Sequence, residues 1–181
     1  MFMARIDSTF RSSLVLLGWT LAATAQARCA NGMNTSIPES TPTTAFTVRT
    51  DGTVLAKATG LMWARCPIGQ VVSANACSGT VKAMIWADAI IAARASTFAG
   101  YTDWRLPNPK EALSIFEDRC DAPSLNADLF PIDYRFGLWT STPAANLAGA
   151  YYAAWVLQTD GRVILAADYQ EAPVLLVRDA R

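Results

Sequence analysis

From Val81 to Phe98 the apolar residues Met84, Ile85, Ala87, Ile90, Ile91, Ala95 and Phe98 recur mostly at steps of three and four, the spacing that lines one face of an α-helix. The stretch predicts an alanine-rich amphipathic helix, with Thr80 as its N-cap and Gly100 just past its end. A second, shorter helix is predicted from Asn108 to about Arg119. Asn108 can cap it, Pro109 suits the first helical position where no N–H is needed, and Glu111 at the third closes a capping box. Leu113, Ile115 and Phe116 then supply its apolar contacts.

Elsewhere the pattern is that of strands and tight turns. Phe46–Arg49 and Thr53–Leu55 flank Asp51-Gly52, a pair that tolerates the positive φ of a hairpin turn. Thr59-Gly60 then leads into Leu61-Met62-Trp63, read as a turn followed by a buried strand. Tyr151–Leu157 and Arg162–Ala166 flank Asp160-Gly161 in the same manner, and Pro173–Arg178 closes the chain as one apolar strand. Asn31–Thr44, rich in Ser, Thr and Pro with no apolar period, predicts an extended coil arm.

The first residues follow a different logic. Arg5 and Arg11 precede the apolar run Leu14–Ala23, and Ala25-Gln26-Ala27 supplies a small-x-small cleavage pattern, so residues 1–27 read as a secretory signal. The apolar run is about half the ~20 residues that a membrane-spanning helix needs. The expectation is an exported chain, periplasmic or at the cell surface, without membrane insertion after cleavage. It divides into an arm at 28–44 and one domain at 45–181. Of 15 basic and 15 acidic side chains the leader removes two arginines and one aspartate, leaving 13 against 14. No run of Lys or Arg exists to follow a phosphate backbone, which argues against nucleic acid as a partner.

Export changes what four cysteines mean, because an oxidising compartment favours disulfides over metal or catalytic thiols. Three pairings are open. Cys66 and Cys77 bracket a short loop with turn-forming residues, which leaves Cys29 to tie the arm to Cys120. On a loop-entropy estimate the short closure contributes roughly 3 kcal/mol and the long one about 4 to 5. The chain has no histidine, which removes imidazole zinc sites and His-activated nucleophiles. Asp121, Asn126, Asp128 and Asp133 could offer oxygen ligands to calcium but follow no loop spacing that binds it. No metal or other cofactor is expected.

Trp63, Trp86, Trp104 and Trp155 sit where core burial is the default. Arg105 reads as a structural arginine with Asp103 as its charge partner, so Asp103, Trp104, Arg105, Asn108 and Glu111 form a structural motif. The segment Asp133–Tyr152 is long and rich in aromatics. Its Tyr134, Arg135, Trp139, Tyr151 and Tyr152 are the candidates for a ligand surface, since rings beside hydroxyls and amides suit sugars or peptides.

Thr59-Gly60-Leu61-Met62-Trp63-x-Arg65-Cys66, Gly100-Tyr101-x-Asp103-Trp104-Arg105-Leu106-Pro107-Asn108 and Trp139-Thr140-Ser141-Thr142-Pro143 occur in that order, with Asp51-Gly52-Thr53-Val54 before them and Val177-Arg178 after. Their order and spacing resemble the Lcl C-terminal domain family, named for a collagen-like adhesin of Legionella. The resemblance runs from about Thr41 to the C-terminus. It implies an α+β, C-type-lectin-like fold in which two helices flank small antiparallel β-sheets, strands from the two ends pair, and a long loop region carries any binding surface. It also implies a homotrimeric, non-enzymatic binding or adhesion module whose partner is a glycan or a protein. A structural subunit of an envelope or appendage assembly is the alternative. The Arg105-Leu106-Pro107 run, with Glu111 four residues on, is also similar to one in formylglycine-generating enzymes, which share the lectin-like scaffold and depend on reactive cysteines. Cysteines with structural partners make that oxidase the most distant reading.

Overall fold

The computed structural model describes residues 27–121, 123–132, 137–145, 152–157 and 162–180. In chain order these form β1 (Gly32–Met33), β2 (Phe46–Val48), β3 (Thr53–Ala56), β4 (Leu61–Ala64), β5 (Gln70–Ser73), β6 (Ala76–Gly79), β7 (Ala83–Met84) and α1 (Trp86–Arg94). There follow α2 (Pro109–Leu113), β8 (Cys120–Asp121), β9 (Leu138–Ala145), β10 (Tyr152–Leu157), β11 (Val163–Ala167), β12 (Ala172–Pro173) and β13 (Val177–Asp179). The architecture is a set of small antiparallel sheets with few helices and two disulfides, Cys29–Cys120 and Cys66–Cys77. All four cysteines are thus paired, in the combination the loop lengths favoured.

The central sheet runs β13-β4-β3-β2. Its first turn forms as the Asp-Gly pair predicts: Gly52 has φ +84°, and Asp51 Oδ1 accepts from the Thr53 N–H at 2.9 Å and the Thr53 hydroxyl at 2.6 Å. All four residues of β4 are buried, because both faces of this strand are covered. Side chains alternate across a strand, so β4 divides the core. Leu61 and Trp63 pack with Val54, Ile115, Phe116, Phe130 and Leu175 on one face. Met62 and Ala64 pack with Ala89, Ala93, Trp104, Trp139, Val174 and Leu176 on the other. The same alternation assigns Val174 and Leu176 to one half and Leu175 and Val177 to the other.

Three local expectations are corrected. The first helix covers Trp86–Arg94 only, because Ala83–Met84 leaves the helical path to pair with Ala172–Pro173. Its N-cap is Ile85, not Thr80, with no side-chain cap; instead the Trp86 N–H donates to the Asp168 carbonyl at 3.0 Å. Beyond Ala95, Ala99 at φ +55° and Gly100 at φ +80° turn the chain away. Ala89 and Ala93, one turn apart, are fully buried, and their small side chains let the helix approach the Trp139 half of the core. The second helix keeps its predicted start but ends at Leu113, where Phe116 bridges to Leu125 and Glu117 turns inward. The C-terminal strand divides into β12 and β13, although Val174 and Leu176 still accept from Ile68 and Ala64 at 3.0 Å each.

The Cys66–Cys77 loop is itself a hairpin of β5 and β6, with Ala74 and Asn75 at positive φ in its two-residue turn. The Ser/Thr/Pro-rich arm is coil for most of its length but is docked on the domain. β1 pairs with β8 beside Cys120, and the buried Glu117 carboxylate accepts from the N–H groups of Ser40 at 3.1 Å and Thr41 at 2.7 Å. The Thr41 hydroxyl, at 2.9 Å, and the Arg119 N–H, at 3.2 Å, complete this clamp. The predicted leader lies outside the described residues apart from Ala27. Among the described residues no helix is long and apolar enough to cross a membrane.

Candidate functional site

The segment from Trp104 to Glu111 supports the most developed surface feature. Trp104 is its buried anchor: the indole N–H donates to the Phe98 carbonyl at 2.9 Å, and the ring meets Tyr101 edge-on with centroids 6.1 Å apart. The next residue, Arg105, exchanges backbone hydrogen bonds with Val177 of β13, which fixes the direction of its side chain. Its guanidinium grips Glu111 with both terminal nitrogens, at 2.7 and 2.8 Å, and reaches Asp179 at 3.4 Å. Glu111 also accepts from the Asn108 N–H at 2.8 Å, while Asn108 Oδ1 accepts from the Glu111 N–H at 2.9 Å, so the capping box and the ion pair share one carboxylate. Burial pushes the Glu111 carboxyl up, but the bonds from Arg105 and Asn108 outweigh it and hold the group below its ordinary value. The Arg105 guanidinium is raised in turn, first by its bonds to Glu111.

Asp103 does not serve Arg105. It pairs with Arg178 at 2.6 and 3.1 Å, and that guanidinium lies 4.1 Å from the centroid of the Tyr101 ring. The expected partnership is therefore corrected: the strand pairing of β13 brings Arg178 to Asp103, while one turn of α2 brings Glu111 to Arg105.

A cleft of about 340 Å³ opens beside this motif, lined by Ile90 and Arg94 of α1, by Arg105, Leu106, Asn108 and Glu111, and by Ser141 of β9. The β9 wall is held in place by the Ser141 N–H, which donates to the Pro107 carbonyl at 2.7 Å. Asn108 also borders a shallower, mostly apolar hollow of about 520 Å³ formed with Pro109, Lys110, Thr142 and Val163. A third hollow, of about 270 Å³, lies near Arg49, Asp51 and Arg65. There Arg65 is already committed to the carbonyls of Asp128 and Leu129, both at 2.8 Å.

A family model for the Lcl C-terminal domain matches residues 52–178, from the first hairpin turn to β13. The chain belongs to the Lcl C-terminal domain family. The match takes in β3, β4 and β13 up to Arg178, both helices and every described residue of the cleft. No relative of the chain emerges among curated proteins.

Within this Lcl C-terminal domain the candidates from the Asp133–Tyr152 segment fare differently. Trp139 is fully buried, and its indole N–H donates to the Met84 carbonyl at 2.7 Å. It is a core residue, not a ligand platform, because β9 turns that ring toward α1 and the β7 strand. Tyr134, Arg135 and Tyr151 lie outside the described residues, as does Asp133, and only the backbone of Tyr152 is described, as the first residue of β10. Of the other tryptophans, Trp63 and Trp104 are buried as expected, and Trp86 is partly buried with its indole N–H on the Thr140 carbonyl at 2.8 Å. Trp155 is described only as part of the β10 backbone.

Two of the oxygen donors considered for calcium are otherwise engaged. Asn126 is buried, donates to the Thr41 carbonyl at 3.0 Å and accepts from the Asp128 N–H at 3.1 Å, and Asp128 pairs with Arg28 at 2.7 Å. Asp121 belongs to β8. Among the described residues no group of three or more His, Cys, Asp and Glu is placed to hold a metal ion. The cleft brings together Arg94, which the pattern of residues did not single out, and Ser141, which it placed only within the Trp139–Pro143 motif. They come from a helix end and a strand far apart in the chain, and no local signal links them.

Proposed function

We propose that this protein is an exported, non-enzymatic binding module that recognises a glycan or a protein on a surface. Membership of the Lcl C-terminal domain family carries this reading, since it is consistent with an adhesion-associated module. The two disulfides favour an oxidising, extracytoplasmic setting. Pairing of the C-terminal strand β13 with β4, two helices beside the sheets and the stapled hairpin support a C-type-lectin-like arrangement. A chain without histidine and with every cysteine in a disulfide offers little for acid–base or thiol chemistry, so the oxidase reading has no support in its cysteines. The cleft at Arg105–Asn108 is the surface best built to receive a ligand.

One observation favours assembly as the second reading. β11 is the edge of its sheet, and adjacent residues Ile164 and Leu165 are 40% and 54% exposed although they point to opposite faces. Binding of the purified protein to glycan and protein arrays, together with its mass in solution, decides between the two. Saturable array binding supports the module, as a monomer or as the expected homotrimer. A protein that assembles into large species and ignores every array overturns it in favour of the structural subunit.

A further inference from the structure

The cleft holds a charge that nothing among the described residues balances. Arg94 ends α1 with an exposed side chain, and among the described residues no carboxylate pairs with it. Arg105, which also lines the cleft, is fully engaged by Glu111 and Asp179, and both Glu111 oxygens are taken by Arg105 and Asn108. The carboxylate in the cleft is thus neutralised, while the Arg94 guanidinium is not. The Ser141 hydroxyl and the side-chain amide nitrogen of Asn108 also make no hydrogen bond among the described residues. Ile90 and Leu106 supply apolar wall between these polar groups.

We propose that this cleft binds a single carboxylate carried on a short aliphatic chain. Arg94 is its ion-pair partner, Ser141 and Asn108 are its neutral donors, and Ile90 and Leu106 contact the aliphatic part. The assignment rests on the binding-module reading and names the ligand chemistry at its cleft. A guanidinium presents a planar fork of donors that matches a carboxylate. One uncompensated cation suits one negative charge; a densely charged polymer needs a row of free cations, and among the described residues the cleft has no second one. A cationic ligand finds no free carboxylate among the described lining residues. The volume, about 340 Å³, lies at the small end of the range for ligand sites, which fits a short chain.

Amide-resolved NMR titration of the full, disulfide-intact chain with hexanoate, hexanamide and sulfate tests the assignment. Hexanoate is expected to shift the amides of Ile90, Arg94, Leu106 and Ser141 saturably, with hexanamide and sulfate each at least tenfold weaker. Arg94→Gln, an exposed substitution at a helix end, is expected to weaken hexanoate at least tenfold, about 1.4 kcal/mol, and to leave the remaining spectrum unchanged. Ser141→Ala is expected to weaken it about fivefold, the loss of one hydrogen bond. Equal binding of hexanamide removes the role of charge, and equal binding of sulfate removes the role of the aliphatic wall; either overturns the proposal. So does an Arg94→Gln variant of undiminished affinity. A protein that binds array glycans or proteins but ignores hexanoate overturns the ligand assignment alone. One that binds hexanoate and ignores the arrays supports the cleft and removes the surface-adhesion reading.

Discussion

Glu117 offers the sharpest test of what holds the arm to the domain. Its side chain is fully buried, yet it is charged, because four donors converge on it: the Ser40 and Arg119 N–H groups on one oxygen, and the Thr41 N–H and hydroxyl on the other. Burial pushes this carboxyl up, and the converging hydrogen bonds outweigh it and hold the group below its ordinary value. Glu117→Gln keeps the shape but removes the charge and replaces one oxygen by an NH₂; on the Thr41 side the hydroxyl can turn to accept from it, while the Thr41 N–H loses its acceptor. Losing one hydrogen bond to a charged group, worth roughly 1.5 to 3 kcal/mol, and weakening the rest as the charge goes, predicts a loss of about 2 to 4 kcal/mol. That is a large share of a total stability of about 5 to 15 kcal/mol. The Cys29–Cys120 disulfide retains the arm covalently, so the first sign is faster amide exchange at Thr41, followed by a fall in melting temperature of about 4 to 16 °C.

The pH dependence carries a definite sign. A carboxyl whose folded pKa is depressed contributes stability above its unfolded pKa, near 4.5, and that contribution is lost as pH falls through the lower folded value. The gap between the wild-type protein and Glu117→Gln is therefore widest near neutral pH and narrows as the pH falls below about 4.5. Thermal unfolding followed by circular dichroism from pH 7 to pH 2, with disulfides intact, measures it. A variant within about 1 kcal/mol of the wild type at pH 7, or a gap that ignores pH, refutes the clamp.

Trp139→Ala empties a fully buried site and frees the Met84 carbonyl, so it should lower the urea midpoint by the equivalent of about 3 to 5 kcal/mol; an unchanged midpoint would return Trp139 to the surface. Gly69 has φ +94°, and a Cβ there would meet the Thr80 carbonyl, so Gly69→Ala is expected to lose at least about 1 kcal/mol in the same assay. Removing the long crosslink by Cys29→Ala with Cys120→Ala should destabilise by about 4 to 5 kcal/mol, against roughly 3 for Cys66→Ala with Cys77→Ala; the reverse order in denaturant midpoints would contradict the loop-length argument. Asn108→Ala removes the acceptor of the capping box and should cost about 1 kcal/mol, with the backbone N–H of Glu111 showing the largest gain in amide exchange.

Features that depend on neighbours in the chain were legible from residue order. The Asp51-Gly52 turn, the start of α2 at Asn108-Pro109 with Glu111 behind it, and the burial of Leu61-Met62-Trp63 each follow from local sterics or hydrogen bonding over a few residues. The family, too, could be read from motif order. The length of α1 could not, because the apolar period through Met84 and Ile85 suits a helix equally well until Ala172–Pro173 arrives to pair with β7. The partner of Asp103 was missed for the same kind of reason, since Arg178 reaches it through a strand pairing spanning more than 70 residues; Arg105 instead takes Glu111, six residues on, with Asp179 of the same strand as a weaker contact.

The chain by itself thus determined the Asp51-Gly52 turn, the start of α2 and the family to which it belongs, and it favoured the cysteine pairing that forms, because each rests on short-range geometry or on a spacing that survives as sequence. Tertiary structure alone decided that Trp139 faces inward, that Glu117 clamps the arm, and that Arg94 and Ser141 share a cleft with Asn108. Those outcomes depend on which distant segments share a hydrogen-bond ladder, and the choice is made by burial of the whole core on both faces of β4, not by any stretch of residues read in isolation.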